Sequence, residues 1–319
     1  MARLENELTW SVSRDQLFGD CQRAYYYQYY GSWGGWEDGA PAHVRQLYIL
    51  KNIKTLPMWA GTIVHQTIAE ALNRFAQKSA PIQAGELQAR AQQKMRAGWV
   101  ESVNRDWQRT PKKTNLHELY YGNGKNLPRE QTDRIRDRVN GGLAAFAGSD
   151  VLREILATPY VAWKPVDQLD SFLLNSLKVW CAIDFAYTDP AGGLRILDWK
   201  TGAEDKDALQ TQLACYALYA ADKWFARVEN VRLLGVFLGD NARVSEYQVT
   251  PEIIVEAQDR ILVSAAAMRA KLVDVRTNTA REEDFPVCAN ERICRYCNYR
   301  EVCPFIQSGA GAAAAPTAK

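Results

Sequence analysis

The chain of 319 residues has a formal net charge of +2, with 47% hydrophobic and 24% charged residues. This composition provides apolar material for a globular core, and it excludes the class of chains that are too polar to form a core. No apolar run approaches the roughly 20 residues that cross a bilayer, and the first residues lack the apolar segment of a signal peptide. We therefore expect a cytoplasmic protein that does not enter a membrane.

The N-terminal part of the chain is predicted to be helical and rich in aromatic residues. Ser13 and Gln16 have the spacing of a helix capping box, and a second helix is predicted to begin near Gly61. His65 lies at the edge of the apolar side of that second helix. Five of the six residues 25–30 are tyrosines. These rings could stack on nucleic-acid bases, but we favour a core packed around a cofactor.

The middle of the chain, residues 82–175, is predicted to be a helical insertion. It contains a candidate basic strip formed by Arg134, Arg136 and Arg138, followed by Gly141 and Gly142. Such a strip can hold phosphates even when the total charge is small, but the same pattern is equally typical of a solvated helix face. The net charge therefore neither requires nor excludes nucleic acid.

Strands are predicted from residue 177 onward. Residues 177–185 and 194–200 alternate apolar and polar side chains on either side of a glycine-containing turn, which predicts a β-hairpin. The chain then continues with a predicted helix over 208–225, a hairpin over 231–249, and a long helix from Thr250 to about Val273. Residues 309–319 have low complexity, and we expect them to be disordered.

The first hairpin carries the candidate chemistry. Side chains alternate along a strand, so Asp198 and Lys200 face the same side, which Asp184 on the partner strand can reach. Converging carboxylates bind hard divalent cations, and a lysine beside them can position a water or stabilise charge on a phosphodiester. Gln212 and Tyr216 have the i, i+4 spacing that shares one helix face. The D-x-K pattern by itself is weak evidence, because acidic residues at strand ends are common.

Four short motifs follow one another along the chain: G-x-x-x-H ending at His65, an aspartate at Asp184, D-W-K-T-G beginning at Asp198, and Q-x-x-x-Y beginning at Gln212. This order resembles the RecB-like branch of the PD-(D/E)XK nuclease superfamily. The resemblance implies an α/β fold with a restriction-endonuclease-like core, in which helices flank a mixed central sheet. One departure is Cys181, which stands where the family usually has glycine, three residues before the first aspartate.

The same resemblance implies a role for each matched residue. Mg²⁺ or Mn²⁺ would be bound by His65, Asp184, Asp198 and the backbone carbonyl of Trp199. Lys200 would assist the hydrolytic water, while Gln212 and Tyr216 would lie on the DNA side of the cleft.

Four of the seven cysteines lie close together near the C-terminus. Cys294, Cys297 and Cys303 have the C-x2-C-x5-C spacing of a metal site, and either Cys21 or Cys288 could supply a fourth thiolate to zinc or a [4Fe–4S] cluster. The chain also resembles the iron–sulfur members of the branch, such as the AddB nuclease domain and the CRISPR-associated RecB-like exonucleases. That resemblance implies a structural [4Fe–4S] cluster held by Cys21 and the three C-terminal cysteines.

Together the motifs predict a single nuclease domain over residues 1–308 that acts as an exonuclease on single-stranded DNA ends, in repair, recombination, phage defence or CRISPR adaptation. The chain contains no G-x-x-x-x-G-K-[ST] motif, so we expect duplex unwinding to need a helicase, repair or CRISPR partner. Three alternatives remain open: a nuclease-like module that holds DNA ends or a partner without cleaving, a zinc-stapled endonuclease, and a sequence-reading restriction-type endonuclease.

Overall fold

The computed structural model describes residues 4–122, 127–164, 168–202 and 206–308, so the tail predicted to be disordered lies outside the described residues. The helices are α1 Val12–Asp20, α2 Gln22–Tyr26, α3 Ala42–Lys51, α4 Leu56–Lys78, α5 Ala84–Val103, α6 His117–Tyr120, α7 Arg129–Gly148, α8 Asp150–Ala157, α9 Lys206–Trp224, α10 Pro251–Arg269, α11 Glu291–Arg295 and α12 Pro304–Gln307. The strands are β1 Ile53–Lys54, β2 Asn115–Leu116, β3 Gln168–Leu174, β4 Leu177–Ile183, β5 Phe185–Thr188, β6 Leu194–Lys200, β7 Val231–Phe237, β8 Arg243–Gln248, β9 Leu272–Asp274 and β10 Thr279–Ala280.

The chain divides into two compact units. The first unit consists of Met1–Thr55, Gly98–Asn126 and Leu262–Lys319, and the second of Leu56–Ala97 and Leu127–Ile261. Helices α5 and α10 contribute residues to both units. In the part of the chain that the structure describes, no helix has the length and apolar character to span a membrane.

The second unit contains a mixed four-stranded sheet in the order β5-β6-β7-β8. The central pair β6–β7 is parallel, while the outer pairs β5–β6 and β7–β8 are antiparallel. Parallel neighbours need a crossover connection, which helix α9 provides, and most side chains of β6 and β7 are buried as expected for central strands. The predicted α/β architecture, a mixed sheet flanked by helices, is confirmed.

Helix α4 begins earlier than predicted, at Leu56 rather than near Gly61. Pro57 occupies the first turn, where proline is tolerated because the N–H that it lacks would have no partner there. Helix α4 packs on α7 within the same unit. Its buried side includes Trp59, Ile63, Val64, Ile68 and Leu72.

The predicted hairpin of residues 177–185 and 194–200 forms only in part. Strand β4 pairs with β3, the chain bends at Asp184, and only β5 pairs with β6. Strand β3 lies inside the segment predicted to be a helical insertion. Leu169 and Leu173 on β3 are exposed although they are apolar, so the sequence of β3 does not show the apolar–polar alternation of a strand. The turn from β3 to β4 has positive φ at Asn175 and Ser176, and it lacks the glycine that would mark such a turn in the sequence.

Two helix boundaries also differ from the prediction. The N-cap of α1 is Ser11, whose hydroxyl accepts from the backbone N–H of Arg14 at 3.1 Å, and not Ser13. Helix α10 begins at Pro251 as predicted, but it ends at Arg269 because residues 272–274 pair as β9 with β10.

The tyrosine-rich segment 25–30 lies in the core of the first unit. Tyr25 and Tyr27 are buried, and their rings pack against those of Phe285 and Tyr299, with centroids 6.1 and 5.3 Å apart. The guanidinium carbon of Arg14 lies 4.0 Å from the centroid of the Tyr29 ring. The interpretation of this segment as core is therefore confirmed for its buried rings.

Candidate active site

The second unit brings together the six side chains that the motifs single out. Asp198 and Lys200 lie at the end of β6, Asp184 at the bend between β4 and β5, His65 on α4, and Gln212 and Tyr216 on α9. Four of them, Asp198, Lys200, Gln212 and Tyr216, form one network of hydrogen bonds and an ion pair. The His65–Asp184 pair adjoins this network through the backbone N–H of Trp199.

The Asp184 carboxylate uses both of its oxygens. Oδ1 lies 2.8 Å from Nδ1 of His65, and Oδ2 accepts from the backbone N–H of Trp199 at 2.8 Å. The Asp184 side chain thus accepts the backbone N–H of Trp199, which would otherwise be available to a backbone carbonyl of a neighbouring strand. The pairing with β6 therefore starts at Phe185 and does not include Asp184. Burial by itself lowers the pKa of His65, but the charge and hydrogen bond of Asp184 outweigh it and raise that pKa to about 9.

Asp198 is almost completely buried at the centre of the network. Its Oδ1 accepts from Nε2 of Gln212 at 2.9 Å and lies 3.1 Å from the hydroxyl of Tyr216, and its Oδ2 is 2.7 Å from Nζ of Lys200. Burial and the negative charge of Asp184 raise the pKa of Asp198 to about 6, although Lys200 opposes the shift. A positive charge beside Asp198 therefore stabilises the ionised form of its carboxylate.

The side chains of Gln212 and Tyr216 hold this arrangement in place. The amide oxygen of Gln212 accepts from Lys200 at 2.8 Å, while its nitrogen donates to Asp198 and to the Tyr216 hydroxyl, which lies 2.6 Å away. The Tyr216 hydroxyl also lies 2.8 Å from the carbonyl oxygen of Ala182. Tyr216 is buried, and its hydroxyl contacts Asp198, Gln212 and the backbone of β4.

Gly61 of the G-x-x-x-H motif lies against Thr201 of D-W-K-T-G. A Cβ atom at Gly61 would lie 3.3 Å from Oγ1 of Thr201, so the small residue allows close approach of α4 to the end of β6. Sequence reasoning used this glycine only as a motif letter and did not single out Thr201. Gly61 and Thr201 both belong to motifs that contain site residues, and this could have indicated that they lie close together.

Cys181, the departure from the family pattern, lies on β4 with its thiol directed at α9. Its Sγ is 3.8 Å from the carbonyl oxygen of Cys215. Burial raises the pKa of the Cys181 thiol, which keeps it neutral. The side chain that replaces the family glycine therefore packs between β4 and α9.

The donor set of the network suits a hard divalent cation. Oδ2 of Asp198 is buried and has no hydrogen bond with a described residue, although Lys200 lies beside it as an ion pair. Two carboxylates and an imidazole are ligands that Mg²⁺ or Mn²⁺ accepts. Within residues 4–122, 127–164, 168–202 and 206–308, however, no three His, Cys, Asp or Glu side chains surround one point as a ready metal site.

In the first unit Cys288 as well as Cys21 lies near the three C-terminal cysteines, although among the described residues no three of these cysteines surround one point as a ready metal site. The Sγ atoms of Cys288 and Cys294 lie 3.9 Å apart, and Cys288 and Cys297 pack against the apolar cluster that contains Cys21. Burial raises the pKa of Cys288 and Cys297 to about 12, and the neighbouring Cys21 thiol adds to both shifts. Cys303 acts in the same way on Cys294 and Cys297.

Buried thiols of this kind fit a soft metal centre. A cation would favour the thiolate form that burial disfavours, and sulfur ligands suit iron–sulfur clusters and zinc. The sequence weighed Cys288 only as a rival of Cys21, whereas the structure brings both to the three C-terminal cysteines. Which four would bind a metal stays a prediction.

Comparison with known proteins identifies the superfamily of the chain. None of the curated proteins compared with the chain matches it. The sequence profile of the PD-(D/E)XK nuclease superfamily matches residues 9–304, a segment that contains the network around Asp198 and all seven cysteines. The chain belongs to the PD-(D/E)XK nuclease superfamily.

Proposed function

We propose that the chain is a Mg²⁺- or Mn²⁺-dependent deoxyribonuclease that hydrolyses phosphodiester bonds at single-stranded DNA ends. One observation carries the proposal: the buried Asp198 carboxylate lies between Lys200 and Gln212 with Asp184 beside it. Burying such acidic and basic groups costs free energy that apolar residues would not cost, and arrangements of this kind are typical of functional sites.

His65, Asp184, Asp198 and the Trp199 carbonyl would hold the metal ion. When bound, such an ion polarises the phosphodiester and lowers the pKa of an attacking water. Lys200 carries a positive charge 2.7 Å from Asp198, where it can orient a water or stabilise charge on the phosphoryl oxygens. Gln212 and Tyr216 keep the Asp198 carboxylate and the Lys200 ammonium in a fixed orientation.

The cysteine group is proposed to hold a structural [4Fe–4S] cluster through Cys21, Cys294, Cys297 and Cys303. Support comes from the apolar cluster in which Cys21 lies with Leu50 and Tyr299 and against which Cys297 packs, and from the burial of Cys294 and Cys303. A cluster there would tie the N-terminal helices to the C-terminal segment of the first unit and take no part in hydrolysis.

The preference for single-stranded ends, and a role in repair, recombination or defence with a helicase or CRISPR partner, rest on the resemblance to iron–sulfur members of the RecB-like branch. The lack of a P-loop motif in the sequence agrees with unwinding by a partner. In this proposal the chain cuts a strand that another protein exposes.

The decisive experiment is cleavage of 5′- and 3′-labelled single strands by the wild type, Asp198→Ala and Lys200→Ala, with Mg²⁺ or Mn²⁺. Both variants should lose cleavage while retaining the wild-type circular dichroism spectrum. Asp222→Ala and Lys223→Ala, which remove a half-exposed acid and lysine from α9, are matched controls. Undiminished cleavage by both site variants would refute the proposal, and cleavage of circular single strands would exclude a requirement for ends.

A further inference from the structure

A cleft of about 650 Å³ opens in the second unit directly after Lys200. Its walls are the residues that follow β6, one side of α7, and the turn between β7 and β8. The residues that line it include Arg138, Gly141, Gly142, Thr201, Gly239 and Arg243.

Glycines bring the walls of this cleft close to the end of β6. The backbone N–H of Leu238 donates to the carbonyl of Lys200 at 2.8 Å, which joins the turn to the catalytic strand. A Cβ atom at Gly142 would lie 3.4 Å from that of Leu238, and one at Gly239 would lie 3.5 Å from the Thr201 carbonyl. At Gly141 a Cβ atom would meet nothing within 4 Å, so the cleft is open there.

The charges in the cleft leave one arginine for a ligand. Asp137 pairs with Arg136 at 3.0 Å, and Asp240 pairs with Arg243 at 2.6 Å. Arg138 is exposed and forms no ion pair with any described residue. Of the three arginines in the predicted basic strip, only Arg138 lines the cleft, because residues two apart on a helix point in different directions.

Arg243 offers a planar surface in the same cleft. Its guanidinium bonds to Asp240 and to the hydroxyl of Ser245, each at 2.6 Å, and lies 4.6 Å from the ring centroid of Phe237. A guanidinium plane held in this way can stack on a nucleic-acid base.

We infer that this cleft holds the strand next to the scissile bond, with Arg138 bound to a phosphate and Arg243 stacked on a base. The inference rests on the proposed function and assigns the cleft to single-stranded DNA. Its volume lies in the range of small-ligand pockets, which suits a short stretch of one strand rather than a duplex. Thr201 and Gly202 line it, so the strand would run directly from Lys200 into the cleft.

The first test measures binding of a labelled single strand, with EDTA present to prevent cleavage. Arg138→Ala should weaken binding about three- to tenfold, the loss expected for one phosphate contact. The slope of log affinity against log salt should fall by about 0.7, since one phosphate contact is lost. Arg138→Lys should keep the wild-type slope, and Arg136→Ala on the same helix should bind like the wild type.

The second test fills the cleft without creating a clash. Gly141→Leu should raise the KM for single-stranded DNA about threefold or more at a similar kcat, the pattern expected when substrate binding is lost. Its melting temperature should not fall, because Gly141 is a helical glycine with open space around it. Gly85→Leu, at an open glycine in α5, is the matched control and should leave the KM unchanged.

The outcomes separate this inference from the proposed function. If the wild type cleaves and Arg138→Ala and Gly141→Leu behave like their controls, the cleft assignment is wrong and the nuclease assignment stands. If the wild type never cleaves but Arg138→Ala still lowers affinity and salt slope, the cleft binds DNA and the nuclease assignment fails. Equal losses with a blunt duplex would refute the single-strand specificity.

Discussion

The network around Asp198 and the cysteine group differ in the partners of their polar and thiol groups. In the network, the Asp198 carboxylate, the lysine ammonium, the glutamine amide and the tyrosine hydroxyl are bound to one another at 2.6–3.1 Å. In the cysteine group, buried thiols have mainly other thiols and apolar side chains as neighbours, and burial raises the pKa of three of them.

This difference separates a prearranged polar site from one that depends on a bound centre. The network keeps its geometry through hydrogen bonds within the protein, so the proposed metal ion would be needed there for chemistry rather than for folding. Thiolates, in contrast, need a cation to offset their burial, so the proposed metal centre would contribute to stability. Metal loss should therefore reduce activity in one region and stability in the other.

The largest expected effect comes from removing one ligand in each region. Cys297→Ser should lower the free energy of unfolding by more than about 3 kcal/mol and abolish iron binding, because a structural metal centre stabilises the folded state. Asp198→Asn should reduce cleavage about a thousandfold or more yet change stability by less than about 1 kcal/mol. Urea denaturation, iron content and cleavage rates check both. Equal destabilisation by the two variants would contradict the comparison.

Tyr216→Phe should lower the cleavage rate about ten- to a hundredfold, the effect usual for a residue that orients a metal ligand. The hydroxyl lies 3.1 Å from Asp198, and its loss frees that carboxylate to rotate. Tyr219→Phe on the same helix removes a hydroxyl bound to Asp170 and should cleave like the wild type. A similar loss in both variants would assign the effect to the helix rather than to Asp198.

Gly61→Val should destabilise the protein by about 1–3 kcal/mol, because the added side chain overlaps Thr201. Gly85→Val, at an open helical glycine, should cost no stability, because valine has a higher helix propensity than glycine. Thr201→Ala combined with Gly61→Val should recover part of the loss, which a double-mutant cycle measures. Strict additivity would show that the contact between the two motifs does not limit stability.

The smallest effect is expected at Cys288. Cys288→Ser should keep the iron content and the visible absorbance of the wild type, whereas Cys21→Ser should lose both. This result is expected if Cys21 is the fourth ligand and Cys288 only packs beside the cluster. The reverse result would place the centre within the C-terminal segment alone, and stoichiometric zinc in colourless protein would replace iron by zinc.

Local periodicity accounts for the parts of the site that could be predicted. The shared face of Asp198 and Lys200 follows from the two-residue repeat of a strand, and that of Gln212 and Tyr216 from the i, i+4 spacing of a helix. The structure confirms both pairs, which contact each other through Asp198. The prediction that residues 177–183 pair with β6 was wrong, because β4 pairs with β3 instead. Strand partners are not set by local spacing, and the sequence of β3 shows little apolar–polar alternation.

The sequence by itself determined the family, the mixed α/β class and the residues of the network, since each depends on residue identity and short spacings. Only the tertiary structure decided that Asp184 leaves its strand to bind Trp199 and His65, that Gly61 touches Thr201, and that Cys288 joins the other thiols. These contacts join residues far apart in the chain, and their energies depend on how helices and sheet pack together. No local repeat in the sequence records such packing.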